Sequence, residues 1–457
     1  MPGSAAARFV ADRAAALAAC CLAVPALAVP PFAPSPARAA NDGLVWHVER
    51  HDGAAEASHR ADEPINPASI VKIATSLWAL ERLCPGHRFV TGFGIRGSLD
   101  GASGVLDGDL IVIGGGDPDF HVENAYLVAR ELNRRGLRRV RGAMLVDDRF
   151  WLGWEGGSER RERDPQRRAL SMGRALRDAL DPVRWDDATR AAIARLRDRH
   201  ALQAEPLAAV VVQGDVTRHD EVRASRLLVE HRSNPLAVTL KRLNAYSNND
   251  IDRLGDGLGP LGALETYLAR RLGAVSAAAP PTLASYSGLG SNRMSCRQIV
   301  GVLRELDRVS AELGLGLGDL LPVAGCDPGT LQRFPGLGER ERRGALVAKT
   351  GTLARTDGGV AVLAGSARAA DGEWLFCVAS PTIGRELARA RDEQQRWVLD
   401  LLERHGGARA GACGAAVVHS DTFAEAGMPA TAPAPAAPPA TPPRGRAGCG
   451  TASSPGR

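Results

Sequence analysis

The run NPASIVKIATSLWALERL, Asn66 to Leu83, places Lys72 among Ile70, Val71, Ile73, Ala74, Leu77 and Leu80. Asn66 suits a helix N-cap and Pro67 the first helical position, so Ser69 falls in the first turn. Lys72 is then at i+3 from Ser69, and the two side chains share one face. An ammonium on so apolar a helix is costly unless it finds partners or gives up its proton. The chain writes its positive charge almost entirely as arginine: of 57 Lys plus Arg, only Lys72, Lys241 and Lys349 are lysine. Burial lowers a lysine's pKa, and the neutral amine can take a proton from a serine hydroxyl, whereas a guanidinium stays protonated. Lysine is therefore kept where a proton must come and go. A lysine laid along a surface helix with its head in water is the plainer alternative.

A chain of 457 residues with 44% hydrophobic and 24% charged residues has room for two or three globular domains. The net charge of +5 comes from scattered arginines, and no basic block with interleaved aromatics points to nucleic acid. Arg8 and Arg13, an apolar run from Ala14 to Phe32, and Ala37-Arg38-Ala39 read as an export signal over residues 1–39. Pro25, Pro30 and Pro31 break that run, so no stable membrane span is expected. Export places the protein in the periplasm or cell envelope, where disulfides form. Six cysteines follow the leader without CxxC or zinc spacing, and their pairing is open. The ten histidines form no HExxH, so no metal and no cofactor are expected. Residues 40–98 and 236–405 form one unit, interrupted by a module over 99–235 of different texture. Near the end, GALVAKTGTLA, GGVAVLAGSA and EWLFCVAS read as an antiparallel meander before a long helix from Gly384 to His405. The Ala/Pro-rich tail over 406–457 is expected to be disordered.

Two further runs carry chemistry. Lys349-Thr350-Gly351-Thr352 ends a strand, and a glycine there lets another backbone approach. An extended peptide could add itself to such an edge, its carboxylate meeting an ammonium and a hydroxyl. Ser247-Asn248-Asn249 interrupts the helical run Leu240–Asp250 with residues suited to a proton relay and to holding a carbonyl. A strand-to-turn glycine and simple capping would account for each taken alone.

SxxK, SxN and KTG, in that order, resemble the active-site signature of the penicillin-recognising serine acyl-transferases. Within them the chain is most similar to the class C low-molecular-mass penicillin-binding proteins, the D-alanyl-D-alanine carboxypeptidase/endopeptidase family. The flanks INPASIVKIATSLWAL, GDLIVIGGGDP, RRVRGAMLVDDRFW and LPVAGCDPGTL carry the likeness over about residues 43 to 404. The resemblance implies an α+β transpeptidase-like domain, with an antiparallel sheet flanked by helices, a helical subdomain and a smaller α+β insert. It implies Ser69 as acylated nucleophile, Lys72 as its base and Ser247 as proton relay. Asn249 would position the peptide, and Lys349, Thr350 and Gly351 would bind the terminal carboxylate. The N–H groups of Ser69 and Thr352 would form the oxyanion hole. Peptidoglycan stem peptides are the implied substrates and β-lactams the implied covalent inhibitors. Lys241 receives no role.

Three departures stand out. Ser69 and Ser247 are 247 − 69 = 178 residues apart, which implies a reduced insert. The segment Ser285–Ser295 lacks the acidic residue that precedes Ser-Gly-Leu in the family. Tyr246-Ser247-Asn248 can also be read as the YxN of class C β-lactamases. A β-lactamase or esterase on the same scaffold, and a non-catalytic envelope peptide-binding protein, are the rival readings.

Overall fold

The computed structural model describes residues 43–153, 162, 164–219, 226–273, 279–421 and 425–427. The leader over 1–39 and the end of the tail, 428–457, lie outside them. In chain order the elements are β1 (Val45–Arg50), β2 (Ala55–His59), α1 (Val71–Leu83), β3 (Val90–Asp100), β4 (Val105–Ile113), α2 (Val122–Arg134), β5 (Arg139–Val140) and β6 (Met144–Val146). There follow α3 (Pro165–Leu180), α4 (Asp187–Arg199), β7 (Val211–Val212), β8 (Val216–Arg218) and β9 (Arg226–Arg232). The chain continues through α5 (Leu236–Ala245), α6 (Ile251–Leu258), α7 (Leu261–Leu272) and α8 (Cys296–Glu312). It closes with β10 (Leu346–Leu353), β11 (Val360–Ala369), β12 (Gly372–Pro381), α9 (Leu387–Arg404) and β13 (Glu425–Gly427).

One sheet runs β10-β11-β12-β1-β2, every neighbour antiparallel. The meander read from the sequence is its β10-β11-β12 portion. Side-chain alternation gives this sheet two apolar faces. Val360, Val362, Ala364, Leu375, Cys377 and Ala379 pack with α1 and its neighbouring helices. Leu363, Ala367, Trp374, Phe376 and Val378 pack with Trp397, Val398 and Leu401 of α9. Every residue from Val71 to Leu80 of α1 is buried, the polar Lys72, Thr75 and Ser76 included, because the sheet and the other helices enclose it.

The inserted module has its own core and an eight-stranded mixed sheet. Its start differs from the expected 98/99 boundary. The run Arg88–Gly97 becomes the first part of β3, which pairs with β4 and β9 of the insert. Alternation marks a strand but does not say which sheet it joins. The module docks on the helices that bracket Ser247–Asn249: Asp119 Oδ1 accepts from Arg242 Nε of α5 at 3.1 Å, and the Gly153 carbonyl accepts from Arg253 Nη1 of α6 at 2.7 Å.

The first part of the tail is ordered, against expectation. Ala370 N donates to Gly407 O and Gly411 N to Arg343 O, and a disulfide joins Cys413 to Cys326. Beyond it, Asn234 Nδ2 donates to the carbonyls of His419 and Ser420, Asp421 holds Arg199 and His200, and β13 pairs with β9. The strap thus runs from the catalytic sheet to the insert. Its small residues, read from composition as disorder, permit close approach: a Cβ on Gly411 would stand 2.6 Å from Gly344 O. Cys296 and Cys377 are buried free thiols. The disulfide closes a separation of 87 residues. Cys413→Ser is therefore expected to cost about 2–4 kcal/mol by denaturant titration. Among the described residues no helix is long and apolar enough to cross a membrane.

Candidate active site

Asn66 holds the entry to α1, its Oδ1 accepting from Ala68 N at 3.0 Å and its Nδ2 donating to Gly290 O and Asp357 Oδ2. Ala68 to Ile70 form a 3₁₀ turn, and the α-helix proper begins only at Val71. Ser69 is thus presented half-buried on the turn ahead of the helix. Lys72 Nζ, fully buried, lies 3.0 Å from Ser69 Oγ. The same nitrogen donates to Asn249 Oδ1 at 2.9 Å and to the Ser287 carbonyl at 2.7 Å. A neutral amine has two N–H groups; these two acceptors take both, and the lone pair is left facing the Ser69 hydroxyl. Burial brings the Lys72 pKa down to about 7, and the charge of Asp252 acts against that shift.

Lys349 is the second buried amine, 3.0 Å from Ser247 Oγ and 2.7 Å from its acceptor, the Thr350 carbonyl. Its pKa is pushed well below the usual value by burial, then by the charges of Lys72 and Arg333. Two buried cations side by side repel, so the second proton is harder to hold than the first. Ser247 sits at φ +56°, a left-handed conformation uncommon for a side-chain-bearing residue, which turns its hydroxyl toward Lys349. The structure thereby separates the two registers. Tyr246 is 48% exposed with Arg242 over its ring, and Asn248 Oδ1 serves the turn by accepting from Asp250 N. Ser247 and Asn249 are the pair that meets the lysines.

β10 is an edge strand whose first half is covered. Ala324 N donates to Leu346 O and Ala348 N to Pro322 O, so residues 346 and 348 direct their backbone polar groups outward. By the same alternation Thr350 and Thr352 present theirs to the uncovered second half. This is an edge to which an extended peptide can add. Thr350 Oγ1 is 2.7 Å from Thr330 Oγ1. A Cβ on Gly351 would stand 2.7 Å from Pro67 O and 3.3 Å from Ala68 Cβ, so only glycine lets β10 lie against the Ser69 turn. Opposite, Gly288 has φ +88°, and a Cβ there would meet Ala68 O at 1.8 Å. Gly288→Ala is expected to destabilise by about 2–4 kcal/mol and to slow acylation in the folded fraction, measured by thermal melting and labelling rate.

Ser69, Lys72, Ser247, Asn249, Lys349, Thr350, Gly351 and Thr352 are thus gathered around one edge. The sequence reading missed the Ser287 carbonyl and Thr330. A backbone acceptor leaves no mark in residue type, although Ser287 lies in the Ser-Gly-Leu segment singled out beforehand.

Comparison with known proteins follows the same lines. The sequence profile of the D-Ala-D-Ala carboxypeptidase 3 (S13) family matches residues 36–168 and 198–400. A D-alanyl-D-alanine carboxypeptidase of Actinomadura sp. (strain R39) is 35% identical over 94 residues, 21% of this chain and 17% of that relative's length. A predatory endopeptidase of Bdellovibrio bacteriovorus, solved acylated by penicillin G and with its immunity protein, superposes with a TM-score of 0.65. It is 23% identical, covering 80% of this chain and 94% of that one. Penicillin-binding protein 4 of Haemophilus influenzae gives a TM-score of 0.56 at 19% identity, covering 80% of this chain and 99% of that one. These last two likenesses are of fold. With the profile spanning most of the chain and the SxxK, SxN and KTG residues brought together in space, the chain belongs to the D-Ala-D-Ala carboxypeptidase 3 (S13) family.

Proposed function

We propose that this chain is an exported serine D,D-peptidase that cleaves D-Ala-terminated or cross-linked peptidoglycan stem peptides through an acyl-enzyme on Ser69. The observation that carries the reading is the fully buried Lys72 amine, its pKa near 7, 3.0 Å from Ser69 Oγ. Ser69 Oγ attacks the penultimate D-alanine carbonyl while its proton passes to Lys72 Nζ. The C–N bond breaks, and the departing amine of D-alanine takes a proton through Ser247. Water then attacks the ester, returns a proton to Ser69 and releases the shortened peptide. In carboxypeptidase and endopeptidase action alike the bond cleaved is the amide on the far side of that carbonyl, so one site serves both. Asn249 orients the peptide; Lys349 and Thr350 take the carboxylate, whose charge favours the protonated form of Lys349. The N–H groups of Ser69 and Thr352 cradle the oxyanion.

A β-lactam offers a strained amide and a carboxylate to the same groups. Its leaving group stays tethered after ring opening, so the ester persists; the penicillin-acylated structural neighbour supports this reading. The leader pattern and the Cys326–Cys413 disulfide support work outside the cytoplasm, in the periplasm or envelope.

The test is fluorescent penicillin labelling with the adduct mapped by mass spectrometry, alongside D-alanine release from an acyl-D-Ala-D-Ala peptide. An adduct on the peptide containing Ser69, with D-alanine release, is the expected result. Fast β-lactam turnover without D-alanine release would make the chain a β-lactamase, and no adduct at all would leave a binding protein. Acylation should also fall with pH. Below about pH 7 the neutral fraction of Lys72 drops, and the rate should decline about tenfold per unit.

A further inference from the structure

The segment Ser285-Tyr286-Ser287-Gly288-Leu289 carries no acidic residue of its own. A carboxylate reaches it from elsewhere. Asp252, on α6 and three residues beyond Asn249, is buried; its Oδ1 accepts from Ser287 N and its Oδ2 from Ser287 Oγ, both at 2.8 Å. It is the carbonyl of this same serine that accepts from Lys72 at 2.7 Å. The contact is reinforced on either side. One turn on, Gly255 has no side chain; a Cβ there would stand 2.2 Å from the Tyr286 ring. That ring stacks on Trp78 of α1, and the Tyr286 carbonyl accepts from Thr75 Oγ1 at 2.7 Å. The segment that aims Lys72 is therefore gripped between α6 and the helix that carries Lys72.

We propose that Asp252 is a positioning residue for acylation: by holding both donors of Ser287 it fixes the carbonyl that turns the Lys72 amine toward Ser69. This deepens the acyl-transfer reading and rests on it. A carboxylate is suited to the task because it accepts only, and two oxygens can grip the N–H and O–H of one residue together. An amide in its place can still accept from Ser287 N, but its nitrogen must donate to Ser287 Oγ, so one bond reverses and both lose their charge assistance.

The charge has a second consequence. Asp252 opposes the effect of burial on Lys72, keeping part of the amine protonated near neutral pH. The other charges bearing on this site are Lys349 of β10 and, through Lys349, Arg333. On the remaining helices around α1, Lys241 of α5 is paired with Asp327, Arg271 of α7 with Glu81 and Glu305, Arg297, Arg304 and Arg308 of α8 with Asp62, Glu49 and Glu305, and Arg253 of α6 lies beside Asp250 and Trp151. Removing the anion of Asp252 therefore moves the Lys72 titration to lower pH.

The experiment measures the second-order rate of acylation by fluorescent penicillin from pH 5 to 9 on the full chain. For Asp252→Asn the plateau is expected to fall about 10- to 50-fold and the midpoint to move down by about one pH unit. For Ser287→Ala, which keeps the charge but loses one hydrogen bond, the plateau should fall about 3- to 10-fold at an unchanged midpoint. A wild-type plateau and midpoint in folded Asp252→Asn would overturn the proposal. If that variant does not fold, Ser287→Ala decides: an unaltered plateau overturns it. Absence of any adduct on the wild-type chain would instead remove the acyl-transfer reading, and this inference with it.

Discussion

Lys72→Met is expected to silence Ser69 as thoroughly as Ser69→Ala, lowering the rate of penicillin acylation and of D-alanine release by about 10³- to 10⁴-fold. Methionine fills nearly the same volume and cannot accept a proton. The hydroxyl of Ser69 would remain in place with no base within reach, since the other nearby amine, Lys349, is engaged with Ser247 and the Thr350 carbonyl. The same substitution should stabilise the fold. The Lys72 pKa falls from 10.5 to about 7 on folding, so the unfolded chain binds the proton more tightly. Folding is then penalised most below pH 7, where a buried cation must be carried, and the penalty fades as pH rises toward 10.5. A shift of that size corresponds to on the order of 5 kcal/mol. Part is returned when Asn249 Oδ1 and the Ser287 carbonyl lose their donor, leaving a net gain of about 1–3 kcal/mol. Denaturant titrations at pH 6 and pH 9 check the sign: the gain should be larger at pH 6. An acylation rate near that of wild type would sink the assignment of the base.

Lys349→Met separates anion binding from nucleophile activation. For a substrate ending in a free carboxylate, kcat/KM should fall about 10²- to 10³-fold, through the lost charge-assisted contact and a displaced Ser247. For the same peptide with its C-terminus amidated, the loss should be within about tenfold, because there is no anion to bind. Equal losses on both substrates would show that Lys349 acts only through Ser247. The Lys72 titration gives an independent readout. Lys72 takes up its proton first and Lys349 is the amine depressed by it, so the acidic limb of the rate profile should stay in place for Lys349→Met, unlike the downward shift expected for Asp252→Asn.

Some of this was legible before any coordinates. Ser69 and Lys72 are three residues apart on a helical turn, and that local geometry alone puts their side chains together. The scarcity of lysine drew attention to Lys72 and Lys349, but equally to Lys241, which the structure pairs with Asp327. The alternation of apolar residues marked β10, β11 and β12, and the long amphipathic run marked α9. Spacing alone left Tyr246 and Ser247 open, and the SxN register was preferred there only on the family resemblance. The choice was decided by the left-handed turn at Ser247 and the reach of Lys349 across 102 residues. The start of the insert was misplaced because a strand's pattern does not name its partner. The tail was misjudged because its Ala, Pro and Gly composition reads as disorder, yet glycine also allows the backbone-to-backbone approach that sets Gly411 against Gly344.

Residue type and spacing already specify the chemistry available at each short-range motif: a hydroxyl beside an amine, a serine and an amide at a turn, an ammonium on a strand edge. Tertiary packing alone brings these three to one place, sets the Ser287 carbonyl against the amine, and puts Asp252 on the N–H and hydroxyl of that serine. The physical reason is range. Helix and strand periodicities act over three or four residues and are written locally, whereas burial, which frees Lys72 of its proton near neutral pH, comes from packing among segments scattered along the chain.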